Sequence, residues 1–327
     1  MTPREIIISN IECRCDDRIG FNFVNGENRL NDFVGAGCEH NLQIRRWEKD
    51  GVEYYTDIWG NVWHRIKNLS KAGEVCSPVI QDWQDLDRYE LPDLANPEFY
   101  IDARRLGASD TECFRLGYMP GWPFAICRYM RKMEIYFMDL LVNRAEVDIL
   151  HDRVTSLLER IIDRFGEAGL DGIIFCEDLG TQDRLLMSPQ MWLQIFRPLY
   201  ERLTSRAHQY GLKVIEHSCG FNWELIDALC EAGIDCLQFD QPMLYELPAL
   251  AEKLKKHRVG LYSPCDIQQV LPTGNRELIE RETARLINTF RGGFIAKNYN
   301  DLPGIGVKPE WDQWAYETFV RVGRSGK

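Results

Sequence analysis

This 327-residue sequence lacks several features that would each point to a particular class of protein. It has no excess of positive charge, since its net charge is −11, which argues against a general binder of nucleic acid or anionic membranes. No apolar stretch approaches the roughly 20 residues that a membrane-spanning helix needs, and the N-terminus has no run long enough for a signal peptide. The eleven cysteines include no CxxC pair. These absences predict a cytoplasmic protein with free thiols and without a nucleic-acid or membrane partner.

The composition is that of an ordinary globular protein, with 45% hydrophobic and 27% charged residues. No low-complexity segment or fixed repeat interrupts the chain. Residues 1–327 are therefore predicted to form a single domain, although the length would also suit two modest ones. Residues 1–110 are the least regular part and are predicted to form an irregular, partly helical region.

From Cys113 onward, apolar runs alternate with amphipathic helices. The run Gly172–Cys176 is typical of a strand buried on both faces, and it follows a long predicted helix at 144–169. Eight segments in all are predicted to be strands, and they are marked by Ile19, Tyr54, Phe114, Ile173, Val214, Ile234, Val259 and Phe294. Eight parallel strands with interleaved helices predict an α/β fold, the (β/α)8 or TIM barrel. A doubly wound sheet is the alternative, but no GxGxxG turn follows any predicted strand.

The sequence Lys-Val-Ile-Glu-His-Ser-Cys-Gly at 213–220 carries the clearest chemical signal. Val214 and Ile215 are predicted to form a short buried strand, and side chains at the carboxyl ends of parallel strands face the ligand. His217 and Cys219 are two residues apart, so they point to the same side of an extended chain and provide half of a zinc site. The alternative is a buried free thiol beside a hydrogen-bonded histidine. Three other cysteines lie in apolar runs and are predicted to be core residues: Cys176, Cys230 and Cys236.

Other polar residues fall at or near the predicted strand ends. Glu177 and Asp178 follow directly after a predicted strand, where two adjacent carboxylates would be unfavourable to bury unpaired. One of them could face the barrel mouth as a general acid, a general base or a metal ligand, and the alternative is that both are solvated or cap a turn. Asp57 is either a mouth carboxylate or a turn residue, and Cys265 is either a second thiolate or a lone thiol. Tyr118 either helps to wall an apolar ligand or belongs to the core.

Five short motifs in combination resemble the uroporphyrinogen decarboxylase superfamily, which comprises uroporphyrinogen decarboxylases and corrinoid-dependent methyltransferases. The motifs are Glu-Asp-Leu-Gly-Thr-Gln at 177–182, Ser-Pro at 188–189, His-Ser-Cys-Gly at 217–220, Ile-Asp at 234–235 and Gln-Pro at 241–242. The resemblance runs over residues 113–311. It implies a (β/α)8 barrel, a homodimer, and cofactor contacts by Gln182 and Gln241.

The decarboxylase branch of that superfamily fits poorly. Its members carry an Arg-Gln-Ala-Gly-Arg stretch near the first strand, whereas residues 20–26 hold no arginine. They also carry a histidine in Gly-His-Gly after the last strand, whereas residues 297–301 hold no histidine. Only Asp57, in Thr-Asp-Ile, has a local match. The resemblance therefore implies that porphyrinogen decarboxylation is not the activity of this chain.

The methyltransferase branch fits better. Its members bind zinc through His-x-Cys and a later cysteine, and His217 and Cys219 match the first part, but no cysteine follows Cys265. A third ligand would come from elsewhere in the mouth, and the candidates are Glu177, Asp240, Cys265 and Asp301. The resemblance implies that zinc acts as a Lewis acid on a small methyl donor or acceptor, and that the methyl group moves to or from a corrinoid on a partner protein. The candidate catalytic residues are then Glu177, Asp178, Asp57 and Tyr118.

Two other hypotheses stay open on the sequence alone. One is a metal-free decarboxylase or lyase of a small or tetrapyrrole carboxylic acid, with His217 and Asp57 as acid and base. The other is a barrel that binds a ligand without catalysis. Arginines lining the mouth would favour the lyase, and the arginines that could do so are Arg18, Arg115, Arg128 and Arg184.

Overall fold

The computed structural model describes residues 1–24, 26–66 and 73–324. Its central element is an eight-stranded parallel sheet that curls into a nearly closed barrel surrounded by helices. This architecture confirms the predicted (β/α)8 (TIM) barrel. Within the described residues, no helix combines the length and the apolar character of a membrane-spanning segment.

In chain order the strands are β1 (Gly20–Asn22), β2 (Phe33–Ala36), β3 (Arg46–Lys49), β4 (Val52–Thr56), β5 (Val62–Ile66), β6 (Glu74–Ser77), β7 (Phe114–Tyr118), β8 (Gly172–Cys176), β9 (Lys213–His217), β10 (Cys236–Gln238), β11 (Gly260–Ser263) and β12 (Phe294–Lys297). The α-helices are α1 (Pro3–Ile11), α2 (Trp83–Leu86), α3 (Ile101–Gly107), α4 (Pro123–Arg131), α5 (Met133–Val142), α6 (Arg144–Glu167), α7 (Pro189–Ile195), α8 (Arg197–Gln209), α9 (Ile226–Glu231), α10 (Leu247–His257), α11 (Arg276–Thr289) and α12 (Pro309–Gly323). The barrel strands run in the order β1-β12-β11-β10-β9-β8-β7-β2, and β3 to β6 form a separate antiparallel sheet.

Seven of the eight predicted strand segments are strands of the barrel. The eighth prediction is wrong, because Tyr54 lies in β4 of the antiparallel sheet. The barrel strand that the sequence does not reveal is β2, which has only four residues, among them Gly35. A Cβ atom at Gly35 would lie 2.6 Å from the ring of Tyr118, so packing in the barrel favours glycine there, in a strand too short to show a clear apolar pattern.

The N-terminal region is less irregular than predicted. Helix α1 begins with a capping box formed by Thr2 and Glu5 and closes the lower end of the barrel. Its close approach depends on glycines in the strands, since a Cβ atom at Gly20 would lie 2.5 Å from the Ile7 side chain. The antiparallel sheet β3 to β6 is inserted between β2 and β7 and was not predicted. Because α1 closes the other end, the carboxyl ends of the barrel strands form the open end of the barrel.

Two layers of apolar packing hold the barrel together. A small cluster fills its lower interior, and a much larger one lies between the barrel and its helices. The long helix α6 contributes the stripe Val147, Leu150, Val154, Leu157, Leu158, Ile161, Ile162 and Phe165 to the outer layer, as its 3.6-residue period predicts. Helices α7 and α8 are separated at Phe196, two residues before Pro198, where the sequence predicts a kink.

Candidate metal centre at the barrel mouth

The alternation of side chains along the strands decides which residues reach the barrel mouth. Ile215 belongs to the apolar cluster inside the barrel, so His217, two residues later, also points inward. The register partner of His217 in β8 is Cys176, which points the same way. Cys176 is exposed and lines a cavity at the mouth, so its prediction as a core residue is wrong, whereas Cys236 is buried as predicted.

Three side chains at the carboxyl ends of β8 and β9 bring their donor atoms together at this mouth. One donor atom from each of Asp178, His217 and Cys219 lies within 4.8 Å of the other two, and all three residues are half-buried. The Cys219 Sγ lies 3.4 Å from His217 Nε2, which lies 3.8 Å from Asp178 Oδ1. The predicted pair is thus joined by Asp178, for which the sequence left a ligand role open but which was not among the four named candidates for the third ligand.

Short contacts between the loops that follow β8 and β9 hold these donors in place. The backbone N–H of Cys219 donates to Asp178 Oδ1 at 2.9 Å. Gly220 has a φ of +83°, and a Cβ atom there would lie 2.4 Å from the carbonyl oxygen of Gly180 in the other loop. The buried Gln241 accepts a hydrogen bond from the Gly220 N–H at 3.1 Å. Gln241, predicted to contact a cofactor, therefore supports the His-Ser-Cys-Gly loop.

A chain of hydrogen bonds lies behind His217. The Nδ1 atom of His217 lies 2.6 Å from Gln238 Oε1, so this nitrogen carries the proton and donates to the amide oxygen. The Gln238 amide donates to Asp240 Oδ1 at 2.7 Å, and the Lys297 ammonium donates to the same oxygen at 3.0 Å. This arrangement directs the His217 Nε2 lone pair toward Cys219. Asp240 is therefore a supporting residue and not a member of the three-donor group.

The ligand chemistry of the three donors suits a divalent cation. Burial raises the pKa of the Cys219 thiol far above its usual range, and the negative charges of Asp178 and Asp240 add to the effect. A bound cation reverses this shift and deprotonates a coordinating thiol. A thiolate, an imidazole nitrogen and a carboxylate are ligands that Zn²⁺ takes, and three protein ligands leave its fourth position open. The donor set therefore fits zinc.

Glu177 points away from this centre, because it alternates with the inward-facing Cys176 and Asp178. Its side chain is fully buried; Oε1 accepts from the Ala125 N–H at 2.8 Å, and Oε2 accepts from the Tyr200 hydroxyl. Burial raises the pKa of Glu177 to about 7. We therefore exclude Glu177 from the proposed ligand set, and its predicted role at the mouth is not supported by its position.

Two further predicted residues lie outside the donor group. Cys265 is buried in the main apolar core beside Thr283 of α11 and does not face Cys219. Asp57 lies in the turn between β4 and β5, where its carboxylate accepts four hydrogen bonds, two from backbone N–H groups and two from the Asn61 amide and the Trp63 indole. It borders the mouth cavity while acting as a turn residue.

The other predicted residues occupy different positions. Tyr118 is the register partner of Ile174 and points into the barrel, where it is 51% exposed. Gln182 is exposed in the loop after β8. The Asp301 carboxylate accepts from the Gly304 N–H at 3.0 Å and is not part of the donor group. None of these three side chains therefore adds a ligand to the centre.

A cavity lies between the mouth and the antiparallel sheet. It has a volume of about 490 Å³, and its walls include Cys176, Asp178, Trp63, Arg128 and Tyr129. A second cavity of about 670 Å³ shares Asp178, Trp63, Arg128 and Tyr129 with the first. The sequence assigned the aromatic segment around Tyr54 to the barrel, so it did not predict that a separate sheet carries part of this wall. The inserted sheet thus encloses a ligand-sized space beside the three donors.

Comparisons with known proteins agree with the barrel fold. No curated protein matches the sequence. Among solved structures, a methyltransferase from Methanosarcina mazei superposes with a TM-score of 0.61 at 15% identity, covering 81% of this chain and 75% of that one, which shows a shared fold. Two xylanases superpose less well. An intracellular xylanase from Thermoanaerobacterium saccharolyticum has a TM-score of 0.34 at 15% identity, covering 57% of this chain and 65% of that one. An endo-beta-1,4-xylanase from Gloeophyllum trabeum has a TM-score of 0.40 at 9% identity, covering 64% of this chain and 76% of that one, and both scores are too low to support a conclusion. The sequence model for uroporphyrinogen decarboxylase (URO-D) matches residues 67–325, well over half of the chain, and the chain therefore belongs to the URO-D family.

Proposed function

We propose that this protein is a zinc-dependent methyltransferase that moves a methyl group between a small substrate and a corrinoid on a partner protein. The observation that carries the proposal is the group of Asp178, His217 and Cys219, whose donor atoms lie within 4.8 Å of one another. Two of these residues belong to the His-x-Cys motif by which the sequence resembles the methyltransferase branch. The fold shared with a protein named as a methyltransferase supports the same assignment.

In this proposal each residue of the mouth has a distinct task. Asp178, His217 and Cys219 would hold zinc, which supplies Lewis acidity toward a substrate thiolate or a methyl-ether oxygen. Gln238 holds the His217 ring so that Nε2 faces Cys219. The corrinoid partner and the homodimer stay predictions from the family resemblance.

The first test is the zinc content and the methyl-transfer activity of protein purified without added metal or chelator. We expect about one zinc per chain and zinc-dependent loss of methylcobalamin in the presence of small thiols. Uroporphyrinogen serves as the control substrate and is expected to show no turnover, since the arginine-rich stretch of the decarboxylases is missing. Protein that neither contains zinc nor takes it up on titration would refute the proposal, and formation of coproporphyrinogen would establish the decarboxylase in its place.

A second prediction concerns Gln238, which the sequence did not single out. Gln238→Leu is expected to weaken zinc binding by about 10- to 100-fold, because His217 then loses the acceptor that orients its ring. Competition with a chromophoric chelator measures the change. Gln238→Glu keeps an acceptor at the same position and is expected to retain more of the affinity. Equal zinc affinity in Gln238→Leu and the parent protein would show that the ring needs no such support.

A further inference from the structure

Arg128 is a buried cation in the wall that both mouth cavities share. It belongs to α4 and is 6% exposed. Its Nη1 donates to the backbone oxygen of Asp178 at 3.1 Å, and its Nη2 donates to the hydroxyl of Tyr129 at 3.0 Å. The Nε–H is buried without a partner. The guanidinium thus uses two of its five N–H groups, and both partners are neutral.

No carboxylate of the described residues forms an ion pair with Arg128. The contrast is Arg131, one helical turn later, which is 7% exposed and pairs with Asp139 at 2.7 Å. Burial raises the pKa of Glu177, and the nearby charge of Arg128 offsets only part of that rise, while both Glu177 oxygens bond to other groups. A buried guanidinium is costly unless a hydrogen-bonded anion compensates its charge. The second N–H groups of Nη1 and Nη2 are therefore suited to an anionic ligand in the cavity, whereas the Nε–H is closed off from solvent.

The surroundings of Arg128 fix both its position and the shape of that ligand. Its guanidinium carbon lies 4.9 Å from the ring centres of Phe124 and of Tyr129, which limits its rotation. Trp63 packs edge-on against Tyr129 with ring centres 4.7 Å apart, and it stacks on Tyr55 at 6.0 Å with an interplanar angle of 10°. These aromatic walls match a flat apolar ligand, and the buried guanidinium of Arg128 matches one negative charge on that ligand.

We propose that Arg128 binds the carboxylate of the substrate, so that the substrate class is a small, flat carboxylic acid that also carries the thiol or methyl ether of the proposed methyl transfer. Because Arg128 bonds to the backbone of Asp178, the carboxylate would be anchored beside a residue that also supplies one of the metal donors. The inference rests on the proposed function, since it names the substrate class of the same site, and the zinc measurement below separates it from the carboxylic-acid lyase that an arginine at the mouth also favours. The other three candidate arginines do not share this setting, because Arg18 pairs with Asp32, Arg115 lies at the start of β7, away from the mouth, and Arg184 is exposed.

Binding of benzoate and of benzamide to the full-length protein tests this assignment. The two probes have nearly the same shape, and only benzoate carries a charge. We expect benzoate to bind the parent protein about tenfold more tightly than benzamide, and Arg128→Gln to lose that preference. Arg46→Gln is the matched control. Arg46, on the exposed strand β3, lines the first cavity but pairs with Glu53, so this variant is expected to keep the preference.

Each outcome decides the assignment. Equal binding of the two probes by the parent protein overturns it whether or not the Arg128 variants fold, and so does an unchanged preference in a folded Arg128→Gln. Arg128→Lys, which keeps the charge without the fork of N–H groups, is expected to fall between the two. Zinc measured on the same samples separates the proposals. Arg128-dependent benzoate binding by protein that cannot bind zinc would retain the subsite and refute the methyltransferase, and zinc binding without a preference for benzoate would do the reverse.

Discussion

Replacing Cys219 with serine is expected to remove nearly all zinc from the protein. The parent should hold about one zinc per chain, and the variant less than about one tenth of that after dialysis against a weak chelator. The reason lies in the ligand chemistry. A thiolate is the softest and strongest of the three donors, whereas a serine hydroxyl stays protonated near neutral pH and is a poor zinc ligand.

The geometry of the centre makes the loss severe. Only Asp178 and His217 would remain within reach of the ion, and their nearest donor atoms are 3.8 Å apart. Both are held by contacts that do not involve the Cys219 thiol, since Asp178 accepts from a backbone N–H and His217 donates to Gln238. The variant should therefore keep its fold and lose its metal. Elemental analysis beside circular dichroism measures the two properties separately.

Cys265→Ser is the matched control for this substitution. Cys265 was predicted as a second thiolate ligand, but it lies in the apolar core beside Thr283. We expect this variant to keep the zinc of the parent protein. If Cys265→Ser lost zinc and Cys219→Ser kept it, the centre would have to be assigned to different residues.

Whether the sequence could place a site residue depended on knowing which face of its strand the side chain occupies. His217 and Cys219 point to the same side of the chain, as a two-residue spacing at the end of an apolar strand predicts. Glu177 and Asp178 are adjacent, so one of them had to point inward, and no feature of the sequence alone showed which. The register of β8 with β9 settles this by pairing Cys176 with His217. Strand pairing is a tertiary property that a local pattern does not contain.

Contacts between distant parts of the chain could not be predicted at all. The antiparallel sheet has the aromatic and β-branched composition of a strand, but its composition does not show that it stands beside the mouth and not in the barrel. Arg128 was one of four arginines that could line the mouth, and nothing in the sequence distinguished it from the other three. Gln238 becomes notable only because it lies 2.6 Å from His217. The fold was thus predictable from repeated local patterns, while the support of the site was not.

Tyr200→Phe is expected to lower the free energy of unfolding by about 3 kcal/mol while the zinc content stays unchanged. The Tyr200 hydroxyl donates to Glu177 Oε2 and lies 3.1 Å from Glu216 Oε1, and all three side chains are fully buried. Removing this hydroxyl leaves two buried carboxyl groups without their shared partner. Glu216 is already poorly satisfied, since its Oε2 has no hydrogen-bond partner and burial raises its pKa well above the usual value.

Tyr136→Phe is the matched control, because Tyr136 is also fully buried and its hydroxyl lies 2.6 Å from His151 Nε2. That substitution removes one hydrogen bond to one neutral ring and is expected to lower the free energy of unfolding by about 1 kcal/mol. Urea unfolding of both variants measures the difference. Equal destabilisation would show that the carboxyl groups find other donors. A larger effect at Tyr200, with zinc retained, would show that the outward-facing Glu177 stabilises the barrel wall independently of the metal donors that face the mouth.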